Sequence, residues 1–117
     1  MTQYTYYHNS RCSKSRDGLE LLAQHNIEPE VVNYLDTPPT AIEIKTLLDK
    51  LGMSARELMR TGEEAYKNLG LDNPGLTEEQ LVDAMVREPI LIQRPVFTNE
   101  KRAVIGRPTD KLLEILP

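Results

Sequence analysis

Apolar residues along this chain change period several times, and each change marks an element. Tyr4 to Tyr7 joins aromatic and β-branched residues in a short run that predicts a first strand. After His8-Asn9-Ser10-Arg11-Cys12-Ser13, the apolar positions Leu19, Leu22 and Ala23 fall three and four apart. They predict a helix over Lys14 to His25, closed by Asn26 in the left-handed conformation. Val31, Val32 and Tyr34 within Glu30 to Leu35 predict a second strand, stopped by Thr37-Pro38-Pro39. From Thr40 to Arg87 the pattern is helical. Four starts are marked there by capping boxes: Thr40 with Glu43, Ser54 with Glu57, Thr61 with Glu64, and Thr77 with Gln80. The stripe Ile44, Leu47, Leu48 and Leu51, ending at Gly52, and the stripe Leu81, Val82, Met85 and Val86 are predicted core. Ile90 to Ile92 and Val96 to Thr98 predict strands, Asn99 to Arg102 a polar turn, and Ala103 to Ile105 a returning strand. Pro108 suits the first turn of a last helix whose inner face is Leu112, Ile115 and Leu116.

The order is β-α-β, a helical insertion, then β-β-α. A β-α-β unit pairs its strands in parallel through a right-handed crossover, and a following hairpin adds antiparallel strands to the same sheet. The expected fold is therefore α/β: a mixed four-stranded sheet with flanking helices and a helical insertion between strands 2 and 3. At 117 residues the chain has room for one domain, 1–117, divided into 1–36 with the cysteine loop, the insertion at 40–87, and 89–117.

Composition narrows the chemistry. With 14 Lys and Arg against 18 Asp and Glu the net charge is −4, which argues against a phosphate-tracking nucleic-acid surface. No apolar run spans a membrane, and no basic region followed by an apolar stretch opens the chain, so a cytoplasmic protein with no membrane contact is expected. A monomer is the expected state. Cys12 is the single cysteine, which excludes an intrachain disulfide and a four-cysteine zinc site. No metal site is expected.

Cys12 follows a strand and opens a helix, in a loop that also carries His8, Arg11, Lys14 and Arg16. The free N–H groups and dipole of a helix N-terminus stabilise a thiolate, and nearby cations add to that, so a depressed pKa and a nucleophilic sulfur are expected. The bland alternative is a small inert hydrophobe, which the polar loop disfavours. Ser15 stands where a dithiol redox protein would carry its second cysteine, so regeneration requires an external thiol. Ser15 either donates a hydrogen bond to the thiolate or is a plain helix-entry serine. His8 either supports the negative charge or is an ordinary strand-end histidine; His25 suits a cation at a helix C-terminus.

The final hairpin supplies a second group of candidates. A turn at Asn99 to Arg102 pairs Thr98 with Ala103 and Phe97 with Val104, and continuing that register sets Arg94 opposite Arg107. Like charges so placed repel unless an anion lies between them. Each precedes a proline, which biases it to extended backbone. Arg60, in the insertion, offers a third guanidinium. The planar fork of arginine meets two oxygens of an oxyanion at once.

The segments HNSRCSKSR at His8 to Arg16, LMRTGEEAYK at Leu58 to Lys67, and IQRPVF with VIGRP near the end together resemble the glutaredoxin-dependent arsenate reductase family and its arsenate-reductase-like relatives. The resemblance covers essentially the whole chain and implies a thioredoxin-like fold. It implies Cys12 as nucleophile, His8 and Ser15 as groups that tune the thiolate, Arg60, Arg94 and Arg107 as the oxyanion site, and a cis-proline junction at Arg94-Pro95. Ser10, Ser13 and Lys14 stand where Pro, Gly and Thr are associated with the family's best-established members. The implied activity is reduction of arsenate to arsenite by the Cys12 thiolate. Glutathione would serve as co-substrate, glutaredoxin as partner, and no cofactor would be bound. Two other readings share the sequence: a monothiol glutathione-linked disulfide reductase, and a non-catalytic thioredoxin-like transcription regulator. The second normally relies on a two-cysteine switch, which Ser15 removes.

Overall fold

Alternation along Thr5-Tyr6-Tyr7-His8 puts Tyr6 and His8 on one buried face of strand β1 (Thr5–His8). The computed structural model describes residues 3–116, so the expected domain limits at 1 and 117 lie outside the described residues. Contacts divide the described chain into two compact units: one runs up to Thr37 and resumes at Arg94, and the other is Pro38–Gln93.

The first unit contains β1, helix α1 (Ser13–Gln24) and strand β2 (Glu30–Asn33), then strands β3 (Val96–Thr98) and β4 (Ala103–Ile105). The strands form one mixed sheet in the order β2-β1-β3-β4, with β1 parallel to β2 and antiparallel to β3. This is the expected α/β arrangement, a thioredoxin-like sheet flanked by helices. Asn26 takes the left-handed conformation after α1 (φ 61°), as its short polar side chain permits. The core of this unit packs Tyr6, Leu22, Phe97, Leu112 and Ile115 together, with the Tyr4 ring stacked on Phe97 at 5.0 Å.

The strand ends differ from expectation by small amounts. β1 starts at Thr5 and includes His8, and β2 stops at Asn33, because the N–H groups of Asp36 and Thr37 turn back onto the Asn33 carbonyl. The hairpin register is as expected: Thr98 pairs with Ala103 and Phe97 with Val104. The turn between them closes by the Asn99 N–H donating to the Arg102 carbonyl at 2.9 Å. The last helix, Thr109–Ile115, is a 3-10 helix that buries Leu112 and Ile115.

The second unit carries helices α2 (Ala41–Leu51), α3 (Ala55–Leu58), α4 (Glu64–Asn68) and α5 (Glu78–Arg87). Thr40, Ser54 and Thr77 make the expected reciprocal capping boxes with Glu43, Glu57 and Gln80. The box expected at Thr61 with Glu64 does not form. A turn closed by the Glu63 N–H onto the Arg60 carbonyl leaves Thr61 two residues short, and Glu63 becomes the N-cap. The strand expected at Ile90 to Ile92 is also corrected. Pro89 cannot donate to a ladder, and Pro89–Leu91 winds into a 3-10 turn, leaving Ile92 with a single bridge to Met59. Of the two predicted stripes, Leu51 and Val86 are only half-buried and the remaining positions are buried.

Candidate functional site

The sheet topology brings distant residues to one end of the first unit. The β1/β3 register pairs Tyr7 with Val96, so one step further His8 meets Pro95, and Arg94 arrives beside the loop that follows β1. On the other side of β3, the Gly106 N–H donates to the Pro95 carbonyl at 2.9 Å, which carries the β4 chain on to Arg107 opposite Arg94. The Arg94-Pro95 peptide is cis, as the resemblance implies, and so is Arg107-Pro108.

Cys12 is the N-cap of α1 and is partly exposed. It makes no close capping bond of the kind Thr40 makes, yet its sulfur lies over the first-turn N–H groups of Ser15 and Lys14, whose dipoles favour the thiolate. Partial burial pushes the Cys12 thiol up. A hydrogen bond from the Arg94 guanidinium outweighs this together with those N–H groups, so the thiol titrates below its ordinary value. The Arg107 Nη2 lies 3.6 Å from the same sulfur, and its Nε donates to the Arg94 carbonyl at 2.7 Å. The two arginines thus face each other as the hairpin register implied, and the anion between them is in the first place the chain's own thiolate.

His8 and Ser15 meet beneath this loop. The Ser15 side chain is fully buried; its Oγ lies 2.7 Å from His8 Nδ1 and accepts the Asn9 N–H at 3.1 Å. A buried hydroxyl needs an acceptor, and His8 Nδ1 is the one within reach, so Ser15 donates to it and the ring proton sits on Nε2. Burial, reinforced by the positive charge of Arg16, pushes His8 below the usual imidazole value. His8 is therefore a neutral group that anchors the loop. Ser15 acts on the sulfur through its backbone N–H, while its hydroxyl is turned away from Cys12 toward His8. Tyr6 tightens the same corner: its hydroxyl donates to the Ser15 carbonyl at 2.6 Å, and burial drives that phenol far above its ordinary range.

The low pKa of His8 has a measurable consequence. Above the ordinary imidazole value of 6.5 the ring is neutral in both folded and unfolded chains. As pH falls below it, the unfolded chain takes the proton first and stability declines. Urea midpoints measured across this range should fall more steeply for the native chain than for His8→Gln; parallel slopes would mean that His8 is not the group responsible.

Arg60 lies in the second unit. Its backbone N–H donates to the Leu91 carbonyl at 2.7 Å and its Nε pairs with Glu63 at 3.3 Å. Sequence reasoning missed Tyr34, which is buried at the end of β2 and hydrogen-bonded by Arg94. Its place in an apolar strand pattern hid that contact, and only the return of the chain at Arg94 creates it. Among the described residues no group of three or more His, Cys, Asp or Glu side chains comes together to hold a metal ion. No helix among them is long and apolar enough to cross a membrane.

The expected activity is corrected at this point. Cys12 is the one cysteine of the chain, so no multi-cysteine relay within the molecule can return an oxidised sulfur to the thiolate. Arsenate reduction coupled to glutathione and glutaredoxin through such a relay is set aside, and the site matches the monothiol alternative better.

Comparison with known proteins places this geometry. The ArsC family model matches residues 7–115. The chain is 51% identical to the Escherichia coli K12 protein YfgD over 115 residues, covering 97% of each chain. It is 44% identical to an arsenate reductase of Neisseria meningitidis over 117 residues, covering 99% of this chain and all of that one. The solved arsenate reductase structure from Vibrio cholerae superposes with a TM-score of 0.96 at 42% identity, over 98% of both chains. The arrangement of Cys12, Arg94 and Arg107 on this sheet is thus met in a chain that belongs to the ArsC family, the arsenate-reductase-like group of thioredoxin-fold oxidoreductases.

Proposed function

We propose that this chain is a monothiol, glutathione-linked disulfide reductase. The observation that carries the reading is a single accessible thiolate held by Arg94 and by Arg107 at 3.6 Å, with no second thiol in the chain to compete for it. In the first step the Cys12 thiolate attacks the glutathione sulfur of a mixed disulfide. A Cys12–glutathione bond forms, the original S–S bond breaks, and the partner leaves as a thiolate that takes a proton from water. In the second step the thiolate of another glutathione attacks the glutathione sulfur bound to Cys12. Oxidised glutathione departs and Cys12 leaves as the thiolate. In net, one free glutathione is consumed and one oxidised glutathione is formed for each mixed disulfide reduced to its partner thiol.

Arg94 and Arg107 serve both halves of this cycle. They stabilise Cys12 as nucleophile and again as leaving group, since a low-pKa thiolate leaves faster. Their planar guanidinium groups also suit a carboxylate of the bound tripeptide. Ser15 and Lys14 add backbone N–H groups, and the neutral His8 keeps the loop in place from below.

The test follows oxidised glutathione, through glutathione reductase and NADPH, in a mixture of the chain, glutathione and the glutathione–cysteamine mixed disulfide. Turnover without arsenate, lost in Cys12→Ser, is the expected result. Turnover that appears only when arsenate is added would defeat the reading.

A further inference from the structure

Beside the cysteine loop, and within the first unit, lies a polar cavity of about 280 Å³, near the lower end of the volumes usual for small-molecule sites. His8, Asn9 and Arg11 from the loop after β1 line it together with Asn33 and Asp36 from the end of β2. Neither Arg94 nor Arg107 does, so the cavity offers chemistry that the thiolate site does not use. Both walls come from the ends of two parallel strands, where open α/β sheets commonly bind ligands.

The lining is doubly charged. Arg11 and Asp36 are both exposed, and among the described residues neither takes part in an ion pair. A simple anion entering here would meet the Asp36 carboxylate, and a simple amine would meet the Arg11 guanidinium, so each is disfavoured by one wall. A ligand with an ammonium and a carboxylate on the same carbon satisfies both. The amides of Asn9 and Asn33 add donors and acceptors of the kind that pair with a peptide bond. The Asn9 Oδ1 already accepts the Arg11 N–H at 3.0 Å, which fixes that amide and leaves its NH₂ as the group to donate. With Nδ1 of His8 engaged by Ser15, the ring offers Nε2–H as its remaining donor.

We propose that this cavity is the subsite for the γ-glutamyl residue of glutathione. Arg11 takes the α-carboxylate, Asp36 the α-ammonium, and the asparagines the γ-amide. The inference rests on the disulfide-reductase reading above and names what that site recognises. Reach is not an obstacle: Arg11 and Cys12 are chain neighbours with Cα atoms about 3.8 Å apart. A tripeptide joined to Cys12 through its central cysteine can therefore extend its first residue along this loop while its glycine carboxylate stays with the guanidinium groups. The γ-linkage matters because it leaves the α-ammonium and α-carboxylate together at one end, where an ordinary peptide bond would have consumed the carboxylate.

The experiment separates binding from turnover. Calorimetry measures S-methylglutathione and S-methylcysteinylglycine, which lacks the γ-glutamyl residue, against the native chain, Arg11→Gln and Asp36→Asn; the turnover assay above is run in parallel with mixed disulfides of glutathione and of cysteinylglycine. The native chain should bind S-methylglutathione about tenfold more tightly than the truncated compound, and each variant should lose most of that preference. A native chain without the preference, or a preference intact in both variants, overturns the inference. Turnover of the glutathione disulfide without cavity-dependent binding would leave the reductase reading standing and sink this one. Cavity-dependent binding without turnover would do the reverse.

Discussion

Replacing Gly18 by alanine is expected to destabilise the chain by about 2 kcal/mol or more, although alanine is the better helix former by about 1 kcal/mol. Gly18 lies on the buried face of α1, where an added methyl would collide with the Tyr6 hydroxyl and approach Leu112 Cδ1 to 2.9 Å. Neither neighbour is free to move. The Tyr6 hydroxyl is bound to the Ser15 carbonyl at 2.6 Å, and both Tyr6 and Leu112 are fully buried. Urea unfolding should show a lower midpoint at an unchanged slope. Repeating the substitution in a Tyr6→Phe background identifies the cause, because removing the oxygen relieves part of the clash; Gly18→Ala should then cost less than it does in the native chain. Equal costs in the two backgrounds would show that the tyrosine hydroxyl is not what excludes a side chain. This contact also belongs to the site, since Tyr6 holds the turn whose N–H groups face Cys12.

Arg94→Ala is expected to raise the Cys12 titration midpoint, because it removes an adjacent opposite charge and a hydrogen bond to the thiolate. Burial already opposes the thiolate, and the Arg94 hydrogen bond is the largest influence that lowers the pKa, so removing it leaves only the Ser15 and Lys14 N–H groups and Arg107 to offset burial. Arg107→Ala should act in the same direction with a smaller shift, because Arg94 keeps its own bond to the sulfur while Arg107 reaches it at 3.6 Å. The pH dependence of iodoacetamide alkylation reads both. The midpoint is the proper measure, since a thiolate of higher pKa is intrinsically more nucleophilic and partly masks its lower abundance at a single pH. Unchanged midpoints in both variants would show that the guanidinium groups do not hold the charge. Arg94→Lys should recover only part of the effect, because an ammonium restores charge without the planar fork.

The hairpin shows how far local pattern reaches. Val96 to Thr98, the turn at Asn99 and Ala103 to Ile105 follow from β-branched runs around a polar turn, and extending their register by two residues correctly set Arg94 against Arg107. The same reasoning failed at Ile90 to Ile92, where an apolar run after a proline forms a 3-10 turn, and at Thr61, where a turn intervenes before the helix. Periodicity cannot separate a short buried strand from a short buried turn, since both are merely apolar. Cys12 was legible as a helix-entry sulfur among cations, while the orientation of Ser15 toward His8 was not. Serine at a helix entry has several acceptors and donors within reach, and only the buried face of β1 selects one.

Helix entries, capping residues, the left-handed Asn26 and the alternation of β1 are decided by neighbours a few positions apart, where propensity and side-chain reach act directly. The sequence alone therefore determined the order of elements, the mixed sheet, and a lone thiol at the start of a helix. Tertiary structure decided which distant groups meet that thiol. Arg94 and Arg107 reach Cys12 because β3 runs antiparallel beside β1 and begins next to the loop that follows it, and Tyr34 reaches Arg94 because β2 runs parallel to β1. Such contacts depend on closing long stretches of chain around a common core, and their geometry is set by packing that no local segment contains.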